Sequence, residues 1–125
     1  MILLDTHVVG WLYGGADQRI PKRVRELIES EQLFVSPVVE LELAYLHEIG
    51  RVSEPATVPL RALRQSIGLQ IADTSLAAVA QTAVELSWTR DPFDRLIAAQ
   101  AIVAGAPLLT ADRTILDHLP LASWD

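Results

Sequence analysis

At 125 residues the chain is the size of one domain and long enough to bury about two thirds of the surface it would expose unfolded, so it needs no staples to fold. Half of the residues are hydrophobic and 21% are charged, which is close to ordinary globular usage. The formal charge of −6 argues against a protein that grips nucleic acid with a broad basic surface; metal ions or a local patch must offset the repulsion if nucleic acid is the ligand.

Other exclusions follow from the same sequence. No run reaches the ~18 apolar residues of a membrane span, because Asp5 interrupts the first apolar stretch and Gln100, Gly105 and Pro107 break up the later one. The N-terminus carries no basic segment ahead of an apolar one, so no export signal is read. Zero cysteine rules out disulfides and thiolate metal sites and fits a reducing compartment. A soluble cytoplasmic protein is expected. The basic residues gathered at Arg19, Lys22, Arg23 and Arg25, and at Arg61 and Arg64, read as solvated helix faces.

In chain order, Met1 to Leu4 is a short apolar run ended by Asp5-Thr6, the pattern of a buried strand. His7 to Tyr13 makes a short helix halted at Gly14-Gly15. Pro21 suits a helical first turn, and Val24, Leu27 and Ile28 keep the helical period to Ser30. Leu33 to Val35 is a second strand, closed by Ser36-Pro37, and a helix follows from about Val38 to Ile49. Pro55 and Pro59 bracket the start of another helix ending at Gly68, and Leu69 to Ile71 reads as a third strand. Thr74 or Ser75 caps a helix running to about Leu86, rich in alanine and leucine. Asp91 to Gly105 is a helix that is apolar on nearly every side, which places it inside the protein. Ala106 to Thr110 is a fourth strand, Asp112 begins a short helix, and Leu121 to Trp124 offers an edge strand. Strands regularly separated by helices indicate a parallel sheet covered on both faces.

The acids fall in a pattern. Asp94 opens the buried helix, and Ala98 and Ala101 along the same face are too small to cover it. A carboxylate led into the interior costs several kcal/mol unless paired or metal-bound. Asp5 follows the first strand directly and Asp112 comes two residues after the fourth, and in an open α/β sheet ligands collect beyond the carboxyl ends of the strands. Each of these two either caps the helix it precedes or serves a site there. Helical winding of residues 38 to 49 puts Glu42 among Val38, Tyr45, Leu46 and Ile49, with Glu40 and His47 opposite. Glu42 therefore either pairs with a buried arginine such as Arg95 or faces inward to join Asp5, Asp94 and Asp112. Converging carboxylates repel and are driven toward protonation unless a cation intervenes. Oxygen ligands without cysteine or paired histidines suit Mg²⁺ or Mn²⁺, and such ions on acidic sites commonly activate water against phosphate.

The ordered set Leu3-Leu4-Asp5-Thr6-His7, Val35-Ser36 with Glu42 downstream, Asp91-Pro92-Phe93-Asp94-Arg95-Leu96-Ile97-Ala98-Ala99-Gln100-Ala101, and Leu109-Thr110-Ala111-Asp112 resembles the PIN-domain family. Within it, the chain is similar to the VapC toxins of bacterial toxin–antitoxin pairs, over its whole length. The resemblance implies a single three-layer α/β/α domain, residues 1–125, with a central, mostly parallel sheet of four to five strands. It implies an endoribonuclease dependent on Mg²⁺ or Mn²⁺, neutralised by a cognate VapB-like antitoxin and usually a homodimer. The family's acidic quartet maps onto Asp5, Glu42, Asp94 and Asp112 as catalytic residues and metal ligands. Its hydroxyl beside the last acid maps onto Thr110, and Thr6 plays a similar part beside Asp5. Asp91 is an outer ligand or a helix cap, and Arg95 contacts phosphate or, more in keeping with its neighbours, forms a salt bridge to an acid. His7 reads as a helix-start or core residue, and Trp88 is a candidate for stacking on RNA.

Rival readings find less support. A phosphoacceptor receiver needs a lysine near the end of a late strand, whereas the single lysine is Lys22. Gly14-Gly15 lacks the following lysine of a phosphate-binding loop, and no Gly-x-Ser-x-Gly turn is present. A PIN fold that only binds RNA or protein, or a housekeeping PIN nuclease without an antitoxin, are the alternatives that keep the same fold.

Overall fold

The computed structural model describes residues 1–125. Its strands are β1 (Ile2–Leu4), β2 (Leu33–Val35), β3 (Gln70–Ile71), β4 (Leu108–Leu109) and β5 (Ala122–Ser123), arranged β3-β2-β1-β4-β5. All neighbouring pairs are parallel, with Leu3 beside Phe34 on one side and Leu108 on the other. The expected mostly parallel sheet is thus wholly parallel. Leu3, Leu4, Leu33, Val35, Leu108 and Leu109 are buried, as befits central strands covered on both faces.

Seven helices flank the sheet: α1 (Thr6–Gly14), α2 (Lys22–Ser30), α3 (Pro37–Glu48), α4 (Thr57–Ile67), α5 (Leu76–Val84), α6 (Pro92–Ala104) and α7 (Arg113–His118). A 3₁₀ turn at Asp17–Arg19, which the sequence pattern did not signal, bridges α1 and α2. None of the helices is long and apolar enough to cross a membrane. Their boundaries have local causes. Ser36 accepts from Val38 N–H and Pro37 fills the first turn of α3; Ser75 caps α5, and Asp91 caps α6. Gly105, at φ 61°, closes α6 in the left-handed conformation that a side chain disfavours.

The core is a cluster of 25 buried residues running through the sheet and both helical layers. Ile97 to Ala101 are buried consecutively in α6, so the expectation of an interior helix holds for its middle, while Ile102 and Val103 emerge to 40% and 36% exposure. Gln100 is the polar residue of that buried stretch. Its carbonyl oxygen accepts from Ser36 Oγ at 3.2 Å and its amide donates to Thr74 Oγ1, fastening α6 to the turns before α3 and α5.

From β1 the chain moves one way to β2 and β3, and later returns to place β4 and β5 on the other side. The order reverses between β1 and β4, which opens a crevice at their carboxyl ends. That crevice positions the site.

Candidate active site

A cleft of ≈ 600 Å³ opens at this reversal, and its lining includes the carboxylates of Asp5, Glu42, Asp91, Asp94 and Asp112. The whole expected quartet is therefore brought to one hollow, together with Asp91. Each acid arrives by a short local path. Asp5 leaves β1 and caps α1, Asp112 leaves β4 and caps α7, and Asp91 caps α6, whose first turn carries Asp94.

Asp5 is 3% exposed, and both of its oxygens are engaged. Oδ1 accepts from Thr6 N–H at 2.7 Å, and Oδ2 accepts from Thr110 Oγ1 at 2.6 Å. Thr110 Oγ1 in turn accepts from Asp112 N–H at 3.0 Å, so one buried hydroxyl ties the two acidic loops together. His7 adds a second tie. Its Nε2 accepts from Ala111 N–H at 2.9 Å, which leaves the proton on Nδ1, 3.6 Å from Asp5 Oδ2. The ring leans on Trp11 and Trp124, with centroids at 4.9 and 6.3 Å. His7 is thus a helix-start residue with a positioning role that its place in the sequence left open.

Glu42 is half-buried, and its Oε1 accepts from Thr6 Oγ1 at 2.5 Å. No arginine pairs with it, since the one ion pair of the chain is the exposed Lys22–Glu26. The expected salt bridge of Arg95 to an acid is likewise overturned. Arg95 Nε donates to Thr89 O at 2.8 Å, because the α6 first turn points the guanidinium back over the preceding loop. The apolar face assigned to Glu42 also needs correction. Val39 and Leu43 are the buried residues of α3, while Tyr45 and Ile49 are 46% and 49% exposed. Glu42 borders the true core face beside Leu43, and exposed Glu40 turns toward a separate groove with Arg61 and Arg64. The Trp88 ring stacks on His118 with centroids 5.2 Å apart, which covers one of its two faces.

Electrostatics single out two of the acids. Burial pushes the Asp94 carboxyl up from 3.8 to about 7, reinforced by the negative charges of Asp91, Asp5, Asp112 and Glu42. Burial also raises Glu42, with repulsion from Asp5 and Asp91 adding to it and the Thr6 hydrogen bond opposing it. Among the lining residues Arg51 is the one arginine or lysine, so the anionic charge has little internal compensation.

The donor set suits a hard divalent cation, being all oxygen and acidic. No three of these side chains close on one point at ligating distance. A Mg²⁺ ion here would need waters and substrate oxygens to complete its shell, as this ion commonly does when held by one or two carboxylates. Asp5, Glu42, Asp94 and Asp112 are the oxygen donors that line this hollow together.

Three features escaped the sequence reading. Arg51 gave no signal beyond being one arginine among nine. Gln100 did give one, as the lone polar residue in the apolar run that follows Arg95 in α6. The His7–Ala111 bond joins residues that only the β1–β4 pairing brings together.

Comparison with known proteins agrees with this architecture. The PIN domain family matches residues 2–120. Ribonuclease VapC22 of Mycobacterium tuberculosis is 34% identical over 130 aligned positions, covering 98% of each chain. Among solved structures, VapBC2 from Rickettsia felis bound to a promoter DNA fragment superposes with a TM-score of 0.72 at 23% identity, over 100% of both chains. A toxin–antitoxin complex from Klebsiella pneumoniae superposes at 0.68 and 17% identity, over 98% of this chain and 96% of that one. With the family matched over nearly all its length and a curated relative aligned end to end, the chain belongs to the PIN domain family.

Proposed function

We propose that the chain is an endoribonuclease of VapC type that depends on Mg²⁺ or Mn²⁺ and is neutralised by a VapB-like antitoxin. The observation that carries the reading is the single cleft lined by Asp5, Glu42, Asp91, Asp94 and Asp112, with Asp94 pushed up to about 7 by burial and by its anionic neighbours. A cleft this acidic favours a cation, and a cation lets it accept phosphate. The ribonuclease name of the M. tuberculosis relative supports RNA as the substrate class. The complexes among the structural neighbours support a protein partner. A homodimer and a cytoplasmic location complete the proposal.

In this mechanism Asp5 and Asp94 would hold the ion, while Asp112 and Glu42 would orient the attacking water or support a second ion. The chemistry supplied by a bound divalent ion would be acidification of a water and neutralisation of phosphate charge. The chain's own residues set the geometry. Thr110 and Thr6 donate to Asp5 and Glu42, fixing the carboxylate rotamers. Asp91 accepts from Phe93 and Asp94 N–H at 2.8 and 3.3 Å, holding the first turn of α6 and the Asp94 side chain at the mouth of the cleft. His7 keeps the Asp112 loop against Asp5.

The test is cleavage of RNA by protein freed of any co-purifying partner. Cutting should require Mn²⁺ or Mg²⁺, cease in excess chelator, and cease in Asp94→Asn with the fold preserved. Cutting that persists in chelator would overturn the metal dependence, and RNA bound but never cut would leave a binding module instead.

A further inference from the structure

An acidic chain that acts on RNA needs a cation where the strand runs, and three of its arginines are committed elsewhere. Arg95 and Arg90 donate to the carbonyls of Thr89 and Ser87 at 2.8 and 3.3 Å, and Arg19 lies over the Trp11 ring at 5.4 Å. Arg51 differs from all of these. It lines the acidic cleft, is exposed, and takes no part in the ion pair of the chain. Its backbone is fixed, because Gly50 turns left-handed at φ 78° and Arg51 N–H donates to Leu46 O at 2.8 Å. The guanidinium therefore projects from a set point at the end of α3.

A second observation concerns Gly10. It lies within α1, where glycine weakens a helix. A Cβ built there meets nothing within 4 Å, so close packing does not require the glycine, and its φ is not left-handed. Gly10 and Arg51 both line the acidic cleft and also an adjoining groove of ≈ 350 Å³ that includes Tyr13, Val52 and Pro59. The missing side chain keeps the floor between the two hollows open.

Arginine grips phosphate through paired N–H donors. We infer that Arg51 binds a phosphate flanking the scissile one, and that the RNA strand reaches the carboxylates from the adjoining groove across Gly10. The inference rests on the nuclease reading above.

Steady-state cleavage of a synthetic single-stranded RNA with Mn²⁺ tests it, alongside binding of the same RNA to the Asp94→Asn protein by fluorescence anisotropy. Arg51→Ala should raise KM roughly ten-fold, with a much smaller effect on kcat, and weaken binding to match. It should also flatten the slope of log affinity against log salt by about 0.7, one phosphate contact on a single strand. Arg51→Lys should restore part of the affinity. Gly10→Leu should raise KM while circular dichroism and melting stay native, and Lys22→Ala, on the far α2 surface, should match wild type. Unchanged KM and salt slope in Arg51→Ala, with wild type cutting normally, would overturn this inference alone. So would Arg51 and Gly10 variants that cut normally but escape a neutralising protein partner, since the groove would then belong to that partner. A wild type that cuts no RNA would instead overturn the function proposed above, and this inference with it.

Discussion

Asp94→Asn keeps the shape of the side chain and removes its charge, so the metal-free protein should become more stable at neutral pH even as it loses activity. The carboxyl stands at about 7 in the folded chain against an ordinary 3.8. At about 1.4 kcal/mol per pH unit that corresponds to roughly 4 kcal/mol of penalty on the ionised folded state. Asp94 is only part-buried, and solvent screening brings the expected gain to ~2 kcal/mol. For a domain of this size that is a rise of roughly 6–10 °C in Tm. The sign follows from linkage: a carboxyl raised on folding costs nothing below its unfolded value, and the cost grows as pH climbs from about 4 to 7 and then levels. The advantage of asparagine should therefore be full at pH 8 and vanish near pH 3.5. Urea unfolding in chelator across this range measures it. A variant equal to or less stable than wild type at pH 8 would refute the picture of an uncompensated acidic cleft.

Adding Mn²⁺ should reverse the order, stabilising wild type far more than Asp94→Asn, as melting curves with and without the ion will show. Calorimetric Mn²⁺ affinity should tighten as pH rises from 5 to 7 and flatten above, because the proton on Asp94 competes with the ion; constant affinity across that range would mean Asp94 is not a ligand. Glu42→Gln should depress cleavage far more than Glu40→Gln, since Glu42 lines the acidic cleft and Glu40 a different groove; equal losses in kcat would contradict that division. Thr110→Val removes a buried donor to Asp5 and an acceptor for Asp112 N–H, and should cost about 1–3 kcal/mol in denaturant melts.

Most elements were legible because each carries its own punctuation. The strands are short apolar runs closed by Asp5, Ser36 or Thr110, and Gly15, Gly68 and Gly105 stop helices where the periodicity ends. The acids at strand ends were legible for a related reason, since parallel topology sends every such residue to one edge. The inward reach of Glu42 does not follow from the apolar pattern of its helix. Leu41, Tyr45 and Ile49 form an apolar stripe on the solvent side of α3, so hydrophobicity alone could not distinguish that stripe from the one through Val39 and Leu43. Arg95 and His7 were less legible because their partners depend on side-chain direction and on strand register, neither of which a spacing rule carries.

The Thr110–Asp5 bond spans 105 positions of sequence. A ribosome-bound chain that has formed its first three strands still has no β4 to set Thr110 against Asp5, and so no assembled carboxylate hollow. Competence arrives with one of the last pairings that synthesis permits. The register of β1 against β4 thereby completes the hollow only once the last quarter of the chain has paired with its first strand.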